Sequence, residues 1–232
     1  MRTIIEMKLQ EEIRALLMNI YRCLVAHFGP RNWWPAKSSF EVIVGAILAQ
    51  AVAWRNVEIA ITRLEQEGLL SPRAIRELPL EELADYIRSS RYYRMKAKKL
   101  KAFMEFFHER YHDSLAELFA QPVDKLRREL LGVYGLGPET VDSILLYAGD
   151  LPVFVVDAYT RRVFHRLGFW GPNVTYTEMQ RFFQRHLPLD VPLYNDYHAQ
   201  IVALGHSYCR EKPRCGRCPL DEFCQWEGKE EK

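Results

Sequence analysis

The fold of this chain is decided in the stretch DKLRRELLGVYGLGPETVDSILLYAGDLPVFVVD, residues Asp124 to Asp157. Leu126, Leu130 and Leu131 fall on one face of a helix, and Val141, Ile144, Leu145 and Ala148 fall on one face of another. Gly135-Leu136-Gly137 lies between them, and glycines at 135 and 137 permit a tight turn and close backbone approach. Pro138 suits the first position of the second helix, where its missing N–H costs nothing. The apolar run Pro152 to Val156 is the one strand-like piece and is too short to found a sheet. Asp157 closes it.

Outward from this stretch the helical period persists. Leu9, Ile13, Leu16, Leu17, Ile20, Leu24 and Phe28 form a stripe over residues 9 to 28, with Cys23 a small filler beside it and Gly29-Pro30 ending the helix. Residues 38 to 66 read as one long helix or two joined, capped by Ser38 or Ser39, with Phe40, Ile43, Val44, Ile47, Leu48 and Ala51 facing inward. Residues 71 to 121 read as short helices separated by turn signals such as Ser71-Pro72 and Leu78-Pro79. No internal repeat stands out, and Lys229 to Lys232 read as a frayed tail. The expected fold class is all-α.

A chain of 232 residues can bury one large core or two small ones. Its net charge of +2 gives no overall basic signal, so nucleic-acid binding must come from local clusters. Arg88 to Lys101 is such a cluster, with Tyr92 and Tyr93 inside it. It suits a solvated helix face or a phosphate-tracking surface. Charges from Arg2 to Arg14 interrupt any signal-peptide core, and no apolar run spans a bilayer. A cytoplasmic protein with no membrane partner is expected.

Several residues have two uses. Trp33 and Trp34, followed by Pro35 in a rigid loop, can stack on a flat ligand or plug a domain junction. Gln50 interrupts an apolar face, with Trp54 one turn on; it is a satisfied packing residue or a side chain that fills the hole left by an extruded base. Exposed N–H groups at the hairpin and the start of the second helix form an anion site, and a DNA phosphate is the natural guest. Flanked by two such helices, Gly135-Leu136-Gly137 reads as a helix-hairpin-helix, which grips DNA backbone without reading sequence. Cys209, Cys215, Cys218 and Cys224 give C-x5-C-x2-C-x5-C. Four thiolates suit a structural zinc. A single compact loop with one Cys-x-x-Cys suits a [4Fe–4S] cluster better.

The hairpin, the Val155-Val156-Asp157 segment running into Arg161 and Arg162, and the cysteine loop resemble the endonuclease III (HhH-GPD) superfamily of DNA base-excision glycosylases. The resemblance covers about Phe40 to Cys224. It implies a six-helix domain with the helix-hairpin-helix over 31–150. It also implies a discontinuous helical domain over 1–30 and 151–232, ending in a structural [4Fe–4S] loop. Double-stranded DNA with a damaged base would lie across the cleft between them, bound by a monomer at the nucleoid, with the target base flipped out.

The same resemblance assigns roles. Asp157 would be the catalytic carboxylate that stabilises positive charge on the deoxyribose, although an N-cap for the helix starting at Ala158 is equally served. Bifunctional members carry a lysine nucleophile two residues past the second hairpin glycine; Glu139 stands there, and no lysine occurs between Lys125 and Lys212. A monofunctional enzyme without lyase activity is expected. Within the superfamily the chain resembles the 3-methyladenine glycosylases in Trp33-Trp34-Pro35, in Gln50 with Trp54, and in Gly137 to Asp142 with glutamate instead of lysine. This implies a base pocket of Trp33, Trp34, Pro35, Trp54 and Glu139 for alkylated purines. Gln50, Gly135, Leu136, Gly137, Arg161, Arg210, Lys212 and Arg214 would contact DNA. Other expectations are a glycosylase for oxidised pyrimidines or mispaired bases, and a non-catalytic damage-binding module.

Overall fold

A computed structural model describes residues 2–31 and 33–228, without the side chains of residues 2–6. Asn32 of the aromatic loop and the tail expectation at Lys229–Lys232 lie outside the described residues. The chain is helical, with no strand among the described residues, and divides into two compact units, Trp34–Leu151 and Met1–Trp33 with Pro152–Lys232.

The first helix, α1 (Arg2–Phe28), belongs to the other unit, and the continuous unit begins with α2 (Ser39–Leu48). The Ser38 hydroxyl caps α2 by accepting from the Glu41 N–H at 3.1 Å. Phe40 to Leu48 are all buried, so α2 is the central helix of this unit. The 38–66 segment is two helices, since α3 (Trp54–Gln66) starts only after a break at which Ala51 takes φ +53°. Short helices α4 (Pro72–Glu77) and α5 (Leu80–Tyr86) follow, and Ser71 caps the first. The expectation of only short helices fails at α6 (Tyr93–Tyr111), a 19-residue helix. Its Ala97, Leu100, Phe103, Met104 and Phe107 are fully buried. Lys96 is buried beside them because its ammonium donates to the Leu48 carbonyl at 2.8 Å and to that of Ser90, which ties the end of α2 to α6.

After α7 (Leu115–Phe119), α8 (Val123–Leu131) and α9 (Pro138–Ser143) form the two arms of the hairpin. A π turn over Ile144–Ala148 continues α9. Leu126, Leu130, Val141, Ile144 and Leu145 are fully buried, about 1.5–3 kcal/mol for each large side chain. The arms are clamped by Arg127, whose Nε and Nη2 donate to Asp142 Oδ1 and Oδ2 at 2.7 and 2.9 Å. Asp142 is 0% exposed. Asp142→Ala would bury the Arg127 charge without this partner and is expected to lower unfolding free energy by about 3–5 kcal/mol in a denaturant titration.

In the discontinuous unit, α1 (Arg2–Phe28) starts before residue 9. Its buried stripe is narrower than its apolar pattern: Leu17, Ile20 and Leu24 are buried, while Leu9 and Leu16 are exposed. α10 (Ala158–Arg166), α11 (Tyr176–His186) and α12 (Val191–Ser207) complete its core, in which Phe154 stacks on Phe183 at 4.1 Å. The strand-like run at 152–156 pairs with no strand. Its backbone is satisfied by side-chain amides of α11: Phe154 N–H donates to Gln184 Oε1 at 3.1 Å, and Gln180 Nε2 donates to the Phe154 carbonyl at 2.9 Å. This holds Asp157 at the end of a fixed extended segment.

Candidate active site and nucleic-acid interface

The hairpin joins α8 to α9 through a tight turn. Gly135 takes φ +79°, a conformation that excludes most side chains, and Leu136 is its buried anchor. Gly137 differs from the sequence expectation. Its φ of −90° suits any residue, and an added Cβ would meet nothing within 4 Å. Glycine at 137 therefore keeps the approach to the start of α9 open rather than making the turn possible. The N-cap Gly137 has no side chain to close the start of α9, which opens at exposed Pro138 and Glu139. Gly137→Ala is expected to fold with an unchanged melting temperature and to lose DNA affinity by about tenfold in a binding titration. Gly135→Ala should lose stability as well, by about 1 kcal/mol, through its positive φ.

Sequence reading missed a lysine here. The Lys99 side chain crosses Gly135, where a Cβ would stand 2.4 Å from its Cγ. Its ammonium donates to Gln50 Oε1, while Gln50 Nε2 donates to Thr140 Oγ1 at 2.9 Å and to the Gly135 carbonyl at 3.3 Å. Gln50 is thus held against the hairpin with its amide orientation fixed. Lys99 lies in the basic Arg88–Lys101 cluster, but only the tertiary structure brings it to the hairpin.

Trp34 and Trp54 belong to one aromatic group in the continuous unit. Their rings meet edge to face at 4.9 Å, and Trp34 lies 5.3 Å from Tyr147. Gly45 makes room, since a Cβ there would stand 3.3 Å from Trp34 Nε1. The Trp54 indole N–H is buried without a hydrogen-bond acceptor among the described residues. Trp33 is half-buried in the other unit, and Pro35 is exposed.

Asp157 is the N-cap of α10. As the N-cap of α10 its Oδ1 accepts from Thr160 N–H at 2.7 Å and from Thr160 Oγ1 at 2.8 Å. Its Oδ2 takes no part in the cap and lies 3.6 Å from His198 Nε2 on α12. The Asp157 side chain is 12% exposed. Burial pushes its carboxyl up, but the His198 imidazole and the two Thr160 bonds outweigh burial and hold it below the usual carboxylate range. The group is an oriented carboxylate with one oxygen committed to the backbone and one outside the cap.

Helix α10 also carries the anchor of the cysteine loop. Arg162 Nε donates to the Cys209 carbonyl at 2.7 Å, and Arg166 Nη1 donates to the Arg210 carbonyl at 2.6 Å. The Arg166 guanidinium lies 4.3 Å from the Trp226 ring and 3.4 Å from Cys209 Sγ. Cys215 and Cys218 sit at 3-10 turns around buried Leu220. Burial pushes the Cys218 thiol up to about 11, and the Cys209, Cys224 and Cys215 thiols push the same way. All four sulfurs therefore share one neighbourhood. No group of three or more His, Cys, Asp or Glu side chains among the described residues is arranged around a single ion. Four soft donors with no carboxylate or imidazole among them fit a larger thiolate-held cluster.

Of the other expected DNA contacts, Arg210, Lys212 and Arg214 are exposed around the cysteine loop. Arg161 is partly used inside the fold, its Nη1 donating to the Val174 carbonyl. No helix among the described residues is long and apolar enough to cross a membrane.

Comparison with known proteins agrees with this arrangement. Residues 44–189 match the family model of the HhH-GPD superfamily base excision DNA repair proteins. A protein of Methanocaldococcus jannaschii named as a DNA repair glycosylase is 44% identical over 211 residues, covering 90% of this chain and 96% of that protein. A solved structure of a non-covalent endonuclease III–DNA complex superposes with a TM-score of 0.77 at 25% identity, covering 93% of this chain and 95% of the other. The structure of an H. pylori 3-methyladenine DNA glycosylase bound to 1,N6-ethenoadenine gives 0.69 at 26% identity, covering 83% and 95%. Hairpin, carboxylate and relatives agree: the chain belongs to the HhH-GPD superfamily of base excision DNA repair proteins, as an endonuclease III-like DNA glycosylase.

Proposed function

We propose that this glycosylase is monofunctional: it hydrolyses the N-glycosidic bond of an alkylated purine such as 3-methyladenine in double-stranded DNA and leaves the abasic strand intact. The observation that carries the hydrolytic part is the divided carboxylate of Asp157, with Oδ1 in the cap and Oδ2 outside it. As the base leaves with the bonding electron pair, positive charge builds on the deoxyribose. Asp157 stabilises that charge and orients the water that attacks the sugar. Glu139 occupies the place of the lyase lysine, and a carboxylate forms no Schiff base. Lys99 is not a substitute, because its ammonium is engaged with Gln50.

The choice of base rests on the aromatic residues. N-alkylated purines are electron-poor, and indole faces attract such rings at about 1–3 kcal/mol per base. Trp33, Trp34 and Trp54, with Pro35 and Glu139, are the residues proposed to receive the base. The likeness to the 3-methyladenine glycosylase supports the same class. A cationic base leaves readily, so no strong general acid is required. The hairpin, Gln50, Arg161, Arg210, Lys212 and Arg214 are the proposed DNA contacts of a monomer acting at the nucleoid in the cytoplasm.

Cys209, Cys215, Cys218 and Cys224 are proposed to hold a [4Fe–4S] cluster. When bound, it cross-links the loop that Arg162 and Arg166 anchor to α10, and hydrolysis needs no redox step. Iron content and visible charge-transfer absorption should both be present; a colourless, zinc-loaded, folded protein would refute the cluster.

One experiment tests the activity. Base release is measured on methylated DNA, on DNA with thymine glycol, and on A opposite 8-oxoguanine, each with borohydride present. Release of alkylpurine without a trapped covalent complex is expected. Preference for another lesion would overturn the substrate class, and strong trapping would overturn the monofunctional assignment.

A further inference from the structure

We infer that His198 is a positioning residue for Asp157: it fixes the oxygen of the catalytic carboxylate that the helix cap leaves unheld. The inference rests on Asp157 carrying base excision. Thr160 grips Oδ1 twice, at 2.7 and 2.8 Å, but two bonds to one oxygen leave the carboxylate able to swing about the Cα–Cβ and Cβ–Cγ bonds. A second point of contact is needed to fix its plane, and His198 Nε2 lies 3.6 Å from Oδ2. That separation is longer than a hydrogen bond, and catalytic contacts of this kind tighten when substrate is bound.

The placement of the imidazole is built into the helix pair. Gly205 on α12 lets the Tyr159 ring of α10 approach so closely that a Cβ would stand 2.4 Å from its Cδ1. His198 lies seven residues before Gly205, two helical turns away on the same side of α12. The close approach that Gly205 permits therefore also brings His198 to the N-terminus of α10, where Asp157 sits. Tyr197 and Gln200 on α12 point to α1 instead: the Tyr197 hydroxyl donates to the Leu17 carbonyl at 2.8 Å, and Gln200 Nε2 to the Gly29 carbonyl at 2.7 Å. α12 is thereby locked in rotation by α1, with His198 directed to the carboxylate. Its side chain is 7% exposed, so it offers no surface for DNA. A histidine that served packing alone would be replaceable by any buried residue of similar size. A positioning histidine needs an N–H where Nε2 stands.

The test compares three variants by single-turnover base release, lesion-duplex Kd and thermal melting. Glutamine can place an amide N–H near the position of Nε2, asparagine only near that of Nδ1, and leucine supplies none. His198→Gln is expected within about threefold of the wild-type rate, and His198→Asn and His198→Leu to be at least about tenfold slower, with Kd within about twofold for all three. In an Asp157→Asn background His198→Leu should slow release no further. Wild-type rates for His198→Leu would overturn the inference, as would equal losses for glutamine and asparagine. A further loss in the Asp157→Asn background would also do so. If His198→Leu fails to melt cooperatively, the glutamine–asparagine comparison decides. Full activity of Asp157→Asn alone would instead remove the proposed role of Asp157, which is a separate failure.

Discussion

Asp157→Asn is expected to slow single-turnover base release by about 10²–10³-fold, about 3–4 kcal/mol, with little change in lesion-DNA affinity or melting temperature. The substitution separates the observed cap from the proposed catalytic charge. Asparagine is as good an N-cap as aspartate, so its side-chain oxygen still accepts from the Thr160 N–H and α10 keeps its start. What disappears is the negative charge at Oδ2, the part of the group outside the cap. Asp157→Ala removes both, and should add a stability loss of about 1 kcal/mol to the same catalytic defect. If Asp157→Asn releases base at a near-normal rate, the residue is a cap and no more.

The sign of the pH effect follows from the same geometry. The Asp157 carboxyl is held below its ordinary value of 3.8 in the fold. Its contribution to stability is therefore present above that value and is lost only as pH falls through the lower folded value. Between about pH 5 and 8 the carboxylate stays charged. Any loss of rate in that window belongs to another group, and the Asp157→Asn residual rate should show the same limb.

How much of this was legible in the sequence depended on distance along the chain. The hairpin, its flanking apolar faces and the N-cap position of Asp157 are local patterns, and the structure has all three. Two joined helices over 38–66 were one of the readings, but the place of the break between α2 and α3 was not legible, because Ala51 adopts φ +53° without a glycine or proline to announce it. Nor was the narrow buried stripe of α1, whose exposed Leu9 and Leu16 fit the apolar period as well as Leu17 does. Lys99 at the hairpin and His198 at Asp157 were missed for a different reason. Each lies in a segment with an adequate local explanation, a basic helix face and an apolar helix, and only packing supplies the partner. Arg162 and Arg166 show the same limit. The sequence gives these two cations no partner, whereas the folded chain uses them on the carbonyls of the cysteine loop; Arg161, expected at DNA, donates to the Val174 carbonyl.

Under the proposed monofunctional reading, Glu139→Lys is expected to convert the enzyme from hydrolysis toward lyase chemistry, seen as a covalent protein–DNA complex on borohydride treatment that the wild type is expected not to form. The position is exposed in the first turn of α9, whose N-cap Gly137 has no side chain. A carboxylate there is favoured by the helix dipole, and a lysine is disfavoured by about 0.3–1 kcal/mol, so a small fall in stability should accompany the gain. The same dipole works in favour of chemistry. It destabilises the ammonium relative to the neutral amine, which raises the fraction of nucleophile near neutral pH. The amine would attack the anomeric carbon as the base leaves with the bonding electron pair, the sugar ring would open to the imine, and loss of a proton from C2′ would expel the 3′-phosphate with the C3′–O bonding pair and so break the strand. Asp157 stays in place, so base release itself should persist. Trapping by Glu139→Lys and none by Glu139→Gln would show that the absent amine, and not the geometry of the hairpin, makes this chain monofunctional. Absence of trapping in both would mean that position 139 does not face the sugar, and the monofunctional assignment would then need a different physical basis.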